Sequence, residues 1–246
     1  MNETLRIQKS HRSIRNYRPD PVSDAMLNEI IAAAHRAPTS MNAQEISLIV
    51  VRDAEKRARI AELAGGQVWV AQVPVFIVIT IDFHKTDLGV RKAGQTQIIH
   101  ESMEGFGVAA TDAGIVLGTL ITAAESLGLG IVPIGSIRRN PQGMIDLLGL
   151  PPLTFPLVGL CIGHIKDDMP LKPRLDNKIF RHDERYDASG YVAAIDAYDA
   201  ELMDYWKRIG RSDGVAWSSN LGNFYRQVYF PQVRPVAAMQ GLLNDK

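Results

Sequence analysis

A chain of 246 residues can bury a large core as one domain, with room for an extension. Its 27 Lys and Arg residues balance 27 Asp and Glu, so no net field draws it to nucleic acid or to an anionic membrane. Cys161 is the only cysteine, which excludes an intrachain disulfide and disfavours a zinc–thiolate site. The opening Met1-Asn2-Glu3-Thr4 has no apolar signal core. The longest nearly uncharged run, Ala113 to Ala124, falls short of the ~20 residues that span a bilayer. A cytoplasmic location is expected.

The first chemically dense stretch is His11-Arg12-Ser13-Ile14-Arg15. Arginine forks, a hydroxyl and an imidazole suit a bound phosphate, and they equally suit a solvated basic surface. Ser23 then reads as an N-cap, with Val22 and Leu27 as a hydrophobic staple across it. Leu27, Ile30, Ile31 and Ala34 predict an amphipathic helix from about Asp24 to Arg36, stopped by Pro38. A polar loop, Pro38 to Gln44, leads into a strand from Ile46 to Val51. Asp53 opens a helix that reaches Leu63 and is closed by Gly65-Gly66.

Val75 to Ile81 is almost wholly apolar and β-branched, as in a strand buried on both faces. His84 to Gln97 reads as a loop or a weak helix. Glu101 to Leu127 reads as a long central helix whose many Gly and Ala residues permit close approach of a neighbour. A short strand from Ile131 to Ile134, a helix from Pro141 to Leu148 with proline at its start, and an apolar strand from Phe155 to Ile162 follow. Strands alternating with helices indicate α/β or α+β layering. From about Ile165 to Ala188 the chain is polar and loop-like. Helices are predicted from about Gly190 to Arg208 and from about Trp217 to Tyr229. The tail from Pro231 to Lys246 carries Val233, Val236, Met239 and Leu242 at helical spacing, so it must pack on the main domain or on a second subunit.

Several familiar chemistries are absent. Gly128-Leu129-Gly130 is followed by a strand, not a helix, which rejects a Rossmann dinucleotide site. There is no Walker A motif, no paired-histidine zinc motif and no nucleophile elbow, and no metal is expected. Cys161 lies in a core strand, where an apolar setting keeps a thiol protonated.

Five separated stretches, in order, resemble the flavin-binding segments of the FMN-dependent nitroreductase family. They are His11 to Arg15, Pro38 to Gln44, Gly65-Gly66-Gln67, Ile131 to Ser136, and Leu171-Lys172-Pro173-Arg174. The Gly-Gly-Gln and Leu-Lys-Pro-Arg segments, with the long tail, are similar to the oxygen-insensitive NADPH nitroreductase and flavin oxidoreductase subfamily. The resemblance implies an α+β fold: a central mixed, mainly antiparallel sheet flanked by helices. A core at 1–164 would be completed by a helical C-terminal extension at 165–246, as one structural unit that wraps the partner in a homodimer.

By the same resemblance His11, Arg12, Ser13 and Arg15 would hold the FMN phosphate, ribityl chain and ring edge. Ser40, Asn42 and Gln44 would hydrogen-bond the ring and ribityl groups, partly from the second subunit. Gln67 would lie near the pyrimidine side. Pro133, Ile134, Gly135 and Ser136 would run beside the ring, and Lys172 with Arg174 would complete the phosphate clamp. Arg15, Gln67 and Gly135 would tune the ring, with no side-chain nucleophile. Pro133 and Ser136 depart from the family, which commonly has an aromatic and a glycine there. Arg208 matches an arginine that binds the 2′-phosphate of NADPH. Arg211 is displaced along the loop, and Asp213 or Gly214 stands at the second position, so NADH use is credible. The implied activity is ping-pong transfer of two electrons from NAD(P)H through non-covalent FMN to a nitroarene, a quinone or free flavin. A flavin-storage protein without turnover, or a more specialised flavoenzyme on the same scaffold, remains open.

Overall fold

The computed structural model describes residues 2–244. Close contacts divide the chain into two compact units, 1–169 with 230–246, and 170–229.

In the first unit, helix α1 (Glu3–Lys9) is capped by Asn2, whose side chain accepts from the Leu5 N–H. An extended segment leads to α2 (Asp24–His35). There Ser23 Oγ accepts from the Met26 N–H at 3.2 Å, and Val22 and Leu27 are both buried, as predicted. Strand β1 (Ile46–Val51) and helix α3 (Ala54–Leu63) follow, the latter capped by Asp53. Gly65 and Gly66 take φ of +90° and +80°, which a side chain would resist, and so end α3. Helix α4 (Val68–Gln72) is one turn long, too short for periodicity to reveal.

Strand β2 (Val75–Asp82) leads into α5 (Phe83–Lys92). The stretch read as a loop or weak helix, His84 to Gln97, is helical to Lys92 and loop-like beyond it. Asp82 caps a regular helix by accepting from the Lys85 N–H at 3.0 Å, and Phe83 anchors it in the core. Helix α6 (Met103–Ser126), strand β3 (Leu129–Ile134), helix α7 (Pro141–Leu148) and strand β4 (Thr154–His164) complete the layers.

The strands form one sheet in the order β1-β2-β4-β3, every neighbouring pair antiparallel. A single parallel bridge, Ser13 to Ile131, makes it mixed. This is the expected α+β architecture. Alternation along β2 builds both cores. Phe76 and Val78 pack with Ile60, Val70 and Met144 on one face, while Val75, Ile77 and Ile79 pack with Ile30, Ala113 and Leu120 on the other. Among the described residues, α6 is long and apolar enough to cross a membrane by length and composition. Here Ala109, Ala113, Leu120 and Ala124 are fully buried in the protein core. Helix α10 (Val233–Met239), numbered after two helices of the second unit, returns to the sheet unit. There Val236, Ala237 and Leu242 pack with Ile145 and Phe155. Met239, the last residue of α10, is 69 % exposed, while Leu242, past the turn at Gly241, is fully buried.

The second unit contains α8 (Tyr191–Arg208) and α9 (Trp217–Tyr225). Tyr198, Leu202 and Tyr205 are its buried centre, with Trp206 and Trp217 against them. Tyr198 and Tyr205 donate their hydroxyls to the carbonyls of Pro173 (2.9 Å) and Pro170 (3.1 Å), which fastens the polar connection onto α8.

Candidate functional site

The basic segment is held by backbone. The Ile14 N–H donates to the Ile131 carbonyl at 2.9 Å, and Ser13 bridges Ile131. The close approach requires glycine at 130: a Cβ there would lie 2.8 Å from Ile14. Buried Tyr17 donates its hydroxyl to the Ile14 carbonyl at 2.5 Å, and burial pushes its phenol far above the usual range, so it stays a donor. Cys161 is fully buried and its thiol is likewise pushed up by burial, which removes it as a nucleophile.

On this frame, His11 Nδ1 lies 2.7 Å from Glu125 Oε1, which orients the ring. Arg12 uses one terminal nitrogen on the Ser10 carbonyl (3.0 Å) and the other on Asp168 Oδ1 (2.6 Å). Its Nε is buried and has no partner. Arg15 places its guanidinium 5.7 Å from the centre of the Trp69 ring. Gln67, just after the Gly65-Gly66 turn, donates Nε2 to Ser136 Oγ at 2.5 Å. Two segments distant in sequence therefore meet where β3 ends: Pro133 and Ile134 lie in the strand and Gly135 starts a 3₁₀ turn.

The loop with Ser40, Asn42 and Gln44 is shaped differently. Met41, Asn42 and Gln44 take φ of 51°, 57° and 55°, a left-handed conformation that costs side-chain-bearing residues about 1 kcal/mol or more each. The Ser40 N–H donates to Asp112 Oδ2 at 2.8 Å, and the Gln44 N–H to Thr39 Oγ1 at 3.1 Å. The Gln44 side chain turns back on Asn42.

In the second unit, Lys172 Nζ sits 4.6 Å from the centre of the Trp206 ring and Arg211 Cζ sits 5.1 Å from it. Arg174 donates to the carbonyls of Lys172 and Pro173. Arg208 lies 6.0 Å from the centre of the Tyr205 ring. Arg211 is engaged by both oxygens of Asp213, each at 2.7 Å. That bidentate pair lowers the Asp213 carboxyl from its usual value and answers the arginine's charge within the loop.

Sequence reasoning missed Glu125, Asp168, Trp69 and the buried Asp112. None lies in a recognisable motif, and the partners of His11 and Arg12 stand far along the chain, so no local signal marks them. Among the described residues no cluster of His, Cys, Asp and Glu is arranged to hold a metal.

A double-layered sheet unit with a basic segment pinned across β3, followed by a helical extension, matches two family models. The nitroreductase family covers residues 9–164, and that family's C-terminal domain covers residues 172–245. The chain belongs to the nitroreductase family. It is 41 % identical over 249 residues to the FMN reductase (NAD(P)H) of Bacillus subtilis strain 168, covering all of both chains. It is 31 % identical to the NADPH-flavin oxidoreductase of Vibrio harveyi, over 98 % of this chain and 99 % of that one. Among solved structures, B. megaterium NfrA2 superposes with a TM-score of 0.97 at 40 % identity, with both chains fully covered.

Proposed function

We propose that this enzyme is an FMN-dependent oxidoreductase that takes electrons from NADH or NADPH and reduces nitroarenes, quinones or free flavin. The observation that carries the reading is the convergence of three segments in the sheet unit, His11 to Arg15 pinned on β3, Gln67, and the Ser136 it donates to, with an Arg12 Nε left buried without a partner. A buried guanidinium N–H without an acceptor is costly, and a phosphate oxygen would satisfy it. The Asp168 carboxylate that shares Arg12 is 71 % exposed, the kind of weak surface pair an incoming phosphate displaces. The residues present therefore fit FMN.

FMN, when bound, supplies the two-electron relay between donor and acceptor. The chain's own residues do the rest. Arg12, Ser13 and His11 grip the phosphate end. Glu125 fixes the orientation of His11. Arg15, held over Trp69, and Gln67, held by Ser136, would supply a positive charge and a hydrogen-bond donor to stabilise negative charge on a bound flavin ring. Ser40, Asn42 and Gln44 would address ring and ribityl groups. Arg208 meets the 2′-phosphate of NADPH. With Arg211 occupied by Asp213, the preference for NADPH is weak and NADH serves too, as the name of the Bacillus subtilis relative suggests for that protein.

A homodimer in the cytoplasm fits this reading. Gly107, Gly114 and Gly118 leave an open face along α6 at helical spacing, with nothing within 4 Å of an added Cβ. A second copy is proposed to cover it.

The test is anaerobic mixing of the FMN-loaded protein with NADH or NADPH, then with a quinone. Bleaching and recoloration are expected, whereas persistent yellow would indicate storage rather than turnover. Arg12→Gln should weaken FMN binding about ten- to hundredfold, read by quenching of flavin fluorescence. Unchanged affinity would remove Arg12 from the phosphate grip.

A further inference from the structure

Helix α4 is anchored by Val70 and by Val73 at its end, both fully buried, so this single turn is fixed to the core. Gln67 opens α4 without capping it, because its side chain donates to Ser136 instead. Two residues on, Trp69 is partly buried against the core cluster that contains Tyr17 and Phe76. Its ring meets the Arg15 guanidinium, whose Cζ lies 5.7 Å from the ring centre.

Arg15 belongs to the segment pinned on β3, yet the residue is exposed, and among the described residues its side chain has no carboxylate or carbonyl partner. An exposed arginine of that kind samples many rotamers, and its charge is spread through solvent. The indole face removes that freedom. Trp69 Nε1 is itself buried with no acceptor among the described residues. An unpaired buried N–H costs free energy that a phenyl ring would not incur. What indole offers over phenyl is the strongest aromatic face for a cation. The contact with Arg15 accounts for an indole at this position.

We propose that Trp69 is a positioning residue that acts through Arg15, fixing its positive charge so that the site favours reduced flavin over oxidised flavin. This rests on the role proposed above for Arg15 at the flavin ring. The oxidised ring is neutral and gains negative charge with its electrons. A cation held in place stabilises the second state and is nearly indifferent to the first. A guanidinium loose in solvent would be screened. One short helix thus places both the Gln67 donor and the ring that holds Arg15.

The test titrates the apoprotein anaerobically with FMN and with dithionite-reduced FMN, which gives the ratio of the two affinities. An exposed cation–π contact changes an equilibrium constant about two- to fivefold, and Trp69→Leu should lower the preference for reduced FMN by about that factor. Trp69→Phe keeps the packing and a weaker face for the cation, and should retain part of the preference. Arg15→Gln should lower it at least as far, and in that background Trp69→Leu should lower it no further. In parallel, the heteronuclear NOE of the Arg15 Nε–H in the apoprotein reports how firmly the side chain is held. It should fall in Trp69→Leu and be largely kept in Trp69→Phe. If Trp69→Leu weakens both forms of FMN equally, or lowers the preference as much without Arg15 as with it, Trp69 is a packing residue and the proposal is overturned. An Arg15 NOE unchanged by Trp69→Leu overturns it as well. If Arg15 loosens as stated while the affinity ratio ignores both Arg15→Gln and Trp69→Leu, the positioning stands and the role of Arg15 at the flavin fails.

Discussion

Strand β2 buries every side chain from Val75 to Ile81, whereas the buried centre of residues 170–229 is Tyr198, Leu202 and Tyr205. The sheet unit is stabilised by apolar area on two faces. The helical unit relies on aromatic side chains whose polar ends reach backbone carbonyls and on charges arrayed over Trp206. The contrast extends to their charged groups. In the sheet unit His11, Arg12 and Ser40 are oriented by acidic groups from distant segments, while in the helical unit Arg211 is answered two residues away by Asp213. A precise site needs the first arrangement; a tunable, exposed donor loop can be built from the second.

Core truncation should separate the units most sharply. Phe76→Ala should cost about 3–5 kcal/mol in urea unfolding, because Phe76 is fully buried among Ile60, Val70 and Met144. A loss below about 1 kcal/mol would mean that the sheet is not the source of stability. Next in size is donor choice. Arg208→Ala should slow reduction by NADPH about five- to tenfold more than reduction by NADH in stopped flow. Equal slowing of both would remove the 2′-phosphate assignment. The smallest effect is expected from Tyr205→Phe, which deletes the hydroxyl donated to Pro170 and should cost about 1 kcal/mol. A cost matching that of Phe76→Ala would erase the difference drawn between the units.

Much of the fold was legible because its signals are local. Ser23, Asp53 and Pro141 mark helix starts, Gly65 and Gly66 mark a stop with positive φ, and β2 announces itself by an unbroken apolar run. The exceptions are physical too. Helix α4 has one turn and no period to detect, and α5 depends on an Asp82 cap that sits inside an apolar strand pattern. In the tail the helical spacing runs past the end of α10: Leu242 is buried beyond the helix, while Met239, its last residue, is exposed.

By itself, then, the order of residues determined the elements, the absence of dinucleotide, zinc and acyl-transfer motifs, and the family to which five polar segments point. Tertiary structure decided what those segments touch. Glu125 beside His11, Ser136 against Gln67, and Asp112 against Ser40 became visible only once strands and helices were packed. Capping and periodicity act within a few residues of chain. Hydrogen bonds and buried charges act through space, between groups that folding alone brings together.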